Sequence, residues 1–138
     1  MDDCIFCKIV RKEIPATIIH ETDDFLAFVN TQPVNFGHSL VIPKQHHSNI
    51  YDLPKNILEK LGEELQTVSI GIKKATNAEG INVDMNNEPA AGQVIFHAHF
   101  HIIPRFEGDG FKHWQPRKYE YPEQIKEVGD KIINSISS

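Results

Sequence analysis

The sequence predicts an α+β fold, and two observations support this prediction. Short segments rich in β-branched and aromatic residues occur three times between residues 17 and 42 and twice between residues 81 and 103, which is typical of strands separated by turns. Between these groups, apolar residues recur at three- and four-residue steps from residue 54 to residue 72, which is the period of an amphipathic helix. We therefore expect a sheet with one long helix packed on it.

The first part of the chain predicts one short helix and three strands. Residues 3–10 carry apolar side chains along one helical edge. The strands are expected at residues 17–20, 25–29 and 38–42. The turn at residues 22–24 makes the first two strands a hairpin. Residues 30–37 are rich in turn formers, so they are expected to form a surface loop, which is where functional sites are often built.

The second part predicts the long helix, two further strands and a last helix. Pro54 opens the long helix and Gly80 is the expected stop. Its stripe is expected to pack on the sheet and consists of Ile57, Leu58, Leu61, Leu65, Val68 and Ile72. A strand over residues 81–86 has inward side chains at Ile81, Val83 and Met85. The last helix, near Pro122, carries a stripe of Ile125, Val128, Ile132 and Ile133.

Three histidines alternate along the predicted fifth strand. His97, His99 and His101 occupy every second position, so an extended chain turns all three imidazoles to one face and the apolar side chains between them to the other. Histidine is the side chain that titrates near neutral pH, and a strand face filled with it is hard to attribute to solubility. This segment therefore indicates a functional site.

The residues alone leave three interpretations of this face open. Two or three histidines suit a catalytic zinc ion with an open position for water. Alternatively, a neutral imidazole is a good nucleophile toward phosphorus, with flanking histidines to bind phosphoryl oxygens and protonate a leaving group. The third interpretation is a hydrogen-bonded polar face without chemistry. Nearby polar residues on the preceding turn and on the third strand favour a site, namely Asn86, Asn87, Gln93, His38, Lys44 and His46.

Composition excludes some functions and narrows the compartment. The chain has 138 residues and a net charge of -5, so it lacks the basic field that long nucleic acid requires, whereas a small nucleotide is compatible with it. No apolar run is long enough to span a membrane, and the first residues do not have the pattern of a signal peptide, so we expect a cytoplasmic protein. In that reducing compartment, the Cys4-x-x-Cys7 pair indicates metal or redox chemistry more than a disulfide.

The segment Gly92-Gln93-x-x-Phe96-His97-x-His99-x-His101-Ile102-Ile103 resembles the signature of the histidine-triad (HIT) nucleotide hydrolases and transferases. Further segments resemble the Hint branch of this family in order and spacing, at residues 5–9, 13–16, 26–28, 37–44 and 86–87. The resemblance covers residues 4–105, and the C-terminal helix is similar to that of the longer microbial members. It implies a single HIT domain over residues 1–138, with a core at 4–105 and a C-terminal extension with a helix at 106–138.

The resemblance implies an α+β domain with a five-stranded antiparallel sheet, paired into a homodimer through the long helix and a sheet edge. In the family mechanism the middle histidine attacks the α-phosphorus of a nucleotide, which makes His99 the nucleophile. His101 and His38 would contact the phosphate or steady the ring. Gln93 and Asn86 would orient phosphoryl oxygens, and the backbone near His97 would fix the tautomer of His99.

The resemblance also implies a nucleoside pocket, in which Phe6, Ile9, Ile14 and Phe28 lie against the base and Asn30 against the ribose. Two positions depart from the family pattern. Residue 30 is usually an aspartate, so Asn30 cannot supply a charge-assisted bond to the ribose. Residue 94 is a serine in close relatives, and Val94 leaves open how the leaving group is protonated.

A structural zinc site is a further implication of the resemblance. Many microbial members hold zinc with such a cysteine pair and two histidines, which correspond here to Cys4, Cys7, His46 and His97. Four thiolate and imidazole ligands close a tetrahedron and leave no position for water, as a structural site requires. No organic cofactor is implied.

These implications predict a hydrolase of purine nucleoside phosphoramidates or related nucleotidyl substrates, acting through a nucleotidyl-histidine. Hydrolysis of dinucleoside polyphosphates such as diadenosine tetraphosphate is the nearest alternative. A nucleotide-binding regulatory module with slow catalysis is an alternative of another class, and a zinc-dependent hydrolase is a third.

Overall fold

The computed structural model describes residues 3–137, so the outermost residues of the predicted domain, 1, 2 and 138, lie outside the described part. The helices are α1 (Ile5–Val10), α2 (Lys55–Thr76) and α3 (Gln124–Ser137). The strands are β1 (Ile18–Glu21), β2 (Phe25–Val29), β3 (Ser39–Pro43), β4 (Gly80–Asp84) and β5 (Phe100–Arg105). Each corresponds to a predicted element, with bounds that differ by a few residues.

The five described strands form one antiparallel sheet in the order β1-β2-β3-β5-β4. The prediction of a five-stranded antiparallel sheet is therefore confirmed. β5 inserts between β3 and β4, and its His101 pairs with Leu40 of β3. This register brings the third strand and its preceding residue, His38, beside the histidine segment, although the two are far apart in sequence.

The sheet separates two apolar layers, because successive side chains of a strand point to opposite faces. On one face, α2 packs over a cluster that includes Phe25, Val41 and Ile102. On the other face, α1 packs over a cluster that includes Leu26, Phe28 and Ile42. The functional residues described below lie on the α1 face.

The histidine segment is only partly strand. β5 begins at Phe100, so His97 and His99 precede it, although the predicted strand included both. The side chains of residues 97–99, which precede β5, nevertheless alternate between the two faces of the sheet as predicted. Ala98 joins the cluster under α2, and its backbone N–H donates to the carbonyl oxygen of His47 at 2.7 Å.

Two details of the predicted packing and one predicted helix end are wrong. Leu58 is 43% exposed because it lies one residue beyond Ile57 and off the buried stripe of α2. Val83 is 46% exposed on β4, which is an edge strand with a neighbour on one side only. α2 ends at Thr76, before Gly80, because Asn77 adopts the left-handed conformation (φ 56°) that closes the helix.

The sequence prediction also missed a buried carboxylate on α2. Glu64 is among the buried residues of the helix, and its Oε1 lies 2.8 Å from Nδ1 of His20 in β1. At the other end of the chain, α3 has its predicted apolar stripe, but none of its described residues is buried. None of the described helices is long and apolar enough to cross a membrane.

Candidate active site and metal centre

A pocket of about 580 Å³ opens on the α1 face of the sheet. Its apolar walls include the four side chains expected against a base, Phe6, Ile9, Ile14 and Phe28, together with Ile5, Leu40, Val94 and Ile95. Its polar lining includes Asn30, Asn86, His99 and His101. The structure therefore brings most of the predicted catalytic and substrate-binding residues around one cavity of ligand size.

His99 is held in one tautomer by the backbone of the segment that precedes β5. Its Nδ1 lies 2.7 Å from the backbone carbonyl oxygen of His97, an acceptor only, so neutral His99 carries its proton on Nδ1. Its Nε2 then presents a lone pair. Phe6 packs edge-on against the ring, with the centroids 5.2 Å apart. This geometry suits a nucleophile toward an electrophilic phosphorus.

His38 and His101 form a directed hydrogen-bond chain. The backbone N–H of Val34 donates to Nδ1 of His38 at 3.0 Å, so neutral His38 carries its proton on Nε2. That Nε2 donates to Nδ1 of His101 at 2.9 Å. Neutral His101 consequently carries its proton on Nε2. His101 can therefore act as a hydrogen-bond donor in the pocket, next to the acceptor His99, since the two rings are 5.2 Å apart.

Burial keeps these imidazoles neutral. It lowers the pKa of His38 to about 4, with a smaller contribution from nearby His101. It also lowers the pKa of His99 and of His101, although the hydrogen bond from His99 to the carbonyl oxygen of His97 partly opposes this. A neutral imidazole is the nucleophilic form, so the electrostatics of the site agree with its geometry.

The structure does not bring the Gln93 amide into the pocket. Its Nε2 donates to the carbonyl oxygens of Ser48 and Ile95, and its Oε1 accepts from the backbone N–H of Glu88 and from Asn49. These four bonds occupy the buried amide, so Gln93 supports the turn before the histidine segment. Of the two amides expected to orient phosphoryl oxygens, only Asn86 lines the cavity.

The two positions that depart from the family pattern both line the pocket. Asn30 follows β2, and its Oδ1 accepts a hydrogen bond from the backbone N–H of Gln32 at 2.9 Å. Val94 is 85% exposed at the cavity and offers no hydrogen-bonding group from its side chain. The structure thus places these two departures in direct reach of a bound molecule.

Several supporting residues escaped the sequence analysis. Gly37 has a positive φ of 102°, and a Cβ there would lie 2.7 Å from Cγ2 of Thr76. Asn35, in the same loop, donates to the carbonyl oxygen of Pro104 and to Asp109, whose carboxylate also pairs with Arg105. The sequence offered two signals, a glycine immediately before His38 and an asparagine within a run of turn-forming residues. It could not show their partners, because Thr76, Pro104 and Asp109 are distant in sequence.

The predicted metal ligands converge at one point beside the pocket. The ligand atoms of Cys4, Cys7, His46 and His97 all lie within 4.8 Å of one another. Nδ1 of His97 lies 3.4 Å from Sγ of Cys4 and 3.5 Å from Sγ of Cys7, and Nδ1 of His46 lies 3.4 Å from the latter sulfur. His97 does not line the pocket and is fully buried.

This cluster fits a tetrahedral zinc ion. Nε2 of His97 lies 2.8 Å from the carbonyl oxygen of Pro43 and so carries the ring proton, which leaves the Nδ1 lone pair facing the two sulfurs. Burial lowers the pKa of His97 to about 4 and also lowers that of His46, so both imidazoles are in the neutral form that binds metals. Two sulfur and two nitrogen donors form a common structural zinc set. The cluster could therefore hold a metal.

Comparison with known proteins agrees with this fold and site. A model of the HIT domain matches residues 11–108, most of the chain, and the chain therefore belongs to the HIT family. Hint-like proteins are among its relatives. Adenylylsulfatase HINT3 of Arabidopsis thaliana is 44% identical over 108 residues, which cover 78% of this chain and 55% of that protein. Adenosine 5'-monophosphoramidase hnt1 of Schizosaccharomyces pombe is 40% identical and covers 96% of this chain and 98% of that protein.

Solved structures give the same result. A Streptococcus mutans protein has a TM-score of 0.93 at 36% identity, covering 99% of this chain and 87% of that chain. A zinc-bound histidine triad family protein from Mycobacterium smegmatis has a TM-score of 0.76 at 29% identity, covering 98% of each chain. The fold is that of the HIT family.

Proposed function

We propose that the protein hydrolyses purine nucleoside phosphoramidates at the α-phosphate through a covalent nucleotidyl-His99 intermediate. The observation that carries this proposal is the tautomer of His99. Its proton is on Nδ1, hydrogen-bonded to the carbonyl oxygen of His97, so the Nε2 lone pair is available for attack within a nucleotide-sized pocket. The activity named for the S. pombe relative, an adenosine 5'-monophosphoramidase, supports this choice of substrate.

The reaction has two steps. Nε2 of His99 attacks the α-phosphorus, a nitrogen–phosphorus bond to the enzyme forms, and the bond to the leaving amine breaks as that amine takes up a proton from solvent. Water then attacks the phosphorus, the bond between phosphorus and Nε2 of His99 breaks, and the attacking water gives its proton to solvent, which releases the nucleoside monophosphate and restores neutral His99. The Nε2–H of His101 would donate to a phosphoryl oxygen while charge builds on it.

The remaining residues bind and orient. The apolar walls from α1 and β2 would enclose the base, and Asn86 would donate to a phosphoryl oxygen. Zinc, when bound at the cluster of Cys4, Cys7, His46 and His97, would supply structural support for the segment that carries His99. Chemistry at phosphorus uses His99 and His101, which are not in that cluster.

A second candidate is a nucleotidyl substrate whose leaving group departs as an anion. Val94 supplies no side-chain donor at the cavity, and a sulfate or polyphosphate leaving group requires less protonation than an amine. The activity named for HINT3, an adenylylsulfatase, belongs to this type, and hydrolysis of diadenosine tetraphosphate does as well. Rates measured side by side on an adenosine phosphoramidate, adenylyl sulfate and diadenosine tetraphosphate would rank the candidates.

We also propose that the protein forms a homodimer and is located in the cytoplasm. The open edge of β4 and the exposed apolar side chains Leu58, Ile70 and Val83 support pairing through α2 and a sheet edge. Sedimentation of the purified protein would test the dimer.

The His99→Ala variant tests the mechanism. We expect turnover of a fluorogenic adenosine phosphoramidate to fall by at least 1000-fold, while calorimetry still detects binding of AMP, because the nucleophile is lost and the pocket walls remain. His113→Ala, which changes an exposed histidine outside the pocket, is the matched control and should keep the wild-type rate. Retained turnover in His99→Ala would refute the covalent mechanism. Negligible wild-type turnover with tight AMP binding would instead favour a regulatory nucleotide-binding module.

A further inference from the structure

The wall of the pocket carries no Asp, Glu, Lys or Arg among the residues that the structure describes. Its polar side chains are the imidazoles of His99 and His101, the amide of Asn86 and, from one loop after β2, the side chains of Asn30, Thr31 and Gln32. A nucleotide bound here would therefore meet only neutral hydrogen-bonding groups.

Asn30 lines the pocket between its apolar wall and its histidines. It is two residues after Phe28, which forms part of the apolar wall, and its backbone N–H donates to the carbonyl oxygen of His38 at 2.8 Å. The side chain of His38 in turn contacts His101. Asn30 is thus between the wall for the base and the histidines for the phosphate, and the sugar is the part of a nucleotide that joins these two.

The orientation of the Asn30 amide is determined by the backbone. Its Oδ1 accepts from the N–H of Gln32 at 2.9 Å, so the oxygen and nitrogen of the amide can be told apart. No described residue accepts a hydrogen bond from its Nδ2, and Asn30 therefore offers free N–H donors and no negative charge to the sugar. Thr31 and Gln32 are exposed beside it and add a hydroxyl and a second amide.

We infer that the site accepts nucleotides that carry an additional phosphate on the 2' or 3' oxygen of the ribose, an inference that rests on the proposed function. A carboxylate at residue 30 would be an acceptor only and would repel this phosphate. Asn30 instead donates to it, and the neutral donors of Thr31 and Gln32 lie close by. Residue 30 is therefore a specificity-determining position for phosphorylation of the sugar.

The test compares three adenosine 5'-phosphoramidates, which carry no further phosphate, a 2'-phosphate or a 3'-phosphate. For the wild-type protein we expect kcat/KM on at least one phosphorylated substrate to be within about threefold of that on the plain one. In Asn30→Asp the same ratio should fall at least tenfold through KM. Aspartate has the shape of asparagine and can still accept from the N–H of Gln32, so the loop is preserved. Asn56→Asp adds the same charge at an exposed position outside the pocket and should keep the wild-type ratio.

The outcomes separate this inference from the proposed function. Turnover of the plain substrate with rejection of both phosphorylated ones by the wild type would overturn the inference alone, and so would equal ratios in wild type and Asn30→Asp. No turnover of any substrate would overturn the proposed function. Calorimetry with AMP, adenosine 2',5'-bisphosphate and adenosine 3',5'-bisphosphate then decides the inference by affinity. Comparable affinities support it, whereas loss of both bisphosphates, or no binding of any of the three, overturns it.

Discussion

A single backbone N–H, that of Val34, determines how two imidazoles of the site share their protons. Because it donates to Nδ1 of His38, the proton of His38 is on Nε2, and this proton is donated to His101. His99 instead carries its proton on Nδ1, because this nitrogen donates to the carbonyl oxygen of His97, and its Nε2 is left as an acceptor. The site therefore presents one acceptor and one donor, both from neutral histidines. Burial and neighbouring backbone groups produce this difference, and Asp84, which lies opposite His101 on β4, only partly opposes the lowering of the His101 pKa.

The lowered pKa of His38 has a consequence for stability. Its value of about 4 in the folded protein is below the ordinary 6.5, so between these values the unfolded protein binds a proton that the folded protein does not. The resulting contribution of His38 to the free energy of unfolding is fully present above pH 6.5 and is lost as the pH falls toward 4. Lowering the pH from 7 to 5 should cost about 2 kcal/mol of unfolding free energy from this residue.

Urea unfolding of wild type and His38→Asn at both pH values measures this contribution. We expect the loss of stability on acidification to be smaller in the variant by about 2 kcal/mol. Asparagine does not titrate but can still accept from the N–H of Val34. Equal losses in the two proteins would contradict the assignment of a buried, neutral His38.

At the scale of the elements, the loop between β2 and β3 positions much of the site. It contains Asn30, Val34 and Asn35 and ends at Gly37, immediately before His38. Gly37 has a positive φ of 102°, and the end of α2 lies so close that a Cβ would meet Thr76. The end of α2 therefore packs closely on the loop immediately before His38, whose side chain contacts Val34 and His101.

Gly37→Ala should therefore lower the unfolding free energy by about 1–3 kcal/mol, because it adds both backbone strain and a close contact. It should also lower turnover in the protein that remains folded, since His38 would shift. Gly62→Ala is the matched control. Gly62 is an exposed residue in α2 where an added Cβ would meet no atom within 4 Å, so this change should stabilise the protein by up to about 1 kcal/mol. Equal effects of the two changes in urea unfolding would contradict this explanation.

The sequence predicted the elements well because their signals are local. The run of apolar and aromatic residues at 25–29 and the helical period after Pro54 are properties of neighbouring residues, and both elements form where expected. The partners of the site residues are not local. The pairing of His20 with Glu64, the contact of His38 with His101 and the bonds of Gln93 to Ser48 and Asn49 join segments that are separated in sequence, so periodicity carries no information about them. Family resemblance supplied the cysteine and histidine set that the structure brings together.

At the scale of the whole molecule, the candidate active site and the candidate metal centre share one residue. The carbonyl oxygen of His97 holds His99, whereas its side chain joins the cluster of Cys4, Cys7 and His46. These ligands come from the start of α1, the loop after β3 and the segment before β5. A cation would therefore tie α1, which forms one wall of the pocket, to the sheet. Its primary effect should be on folding, and its effect on turnover should be secondary.

Zinc removal tests this separation of roles. We expect metal analysis to find one zinc ion per chain and chelation to lower the melting temperature by several degrees, because a ligand at 100 times its Kd stabilises the folded state by about 2.7 kcal/mol. Turnover at temperatures below the new midpoint should survive, since His99 and His101 are not in the cluster. Cys7→Ser should abolish the stabilisation by added zinc, whereas His47→Asn, next to a ligand but outside the cluster, should retain it. Immediate loss of turnover on chelation in protein that is still folded would instead support a zinc-dependent hydrolase.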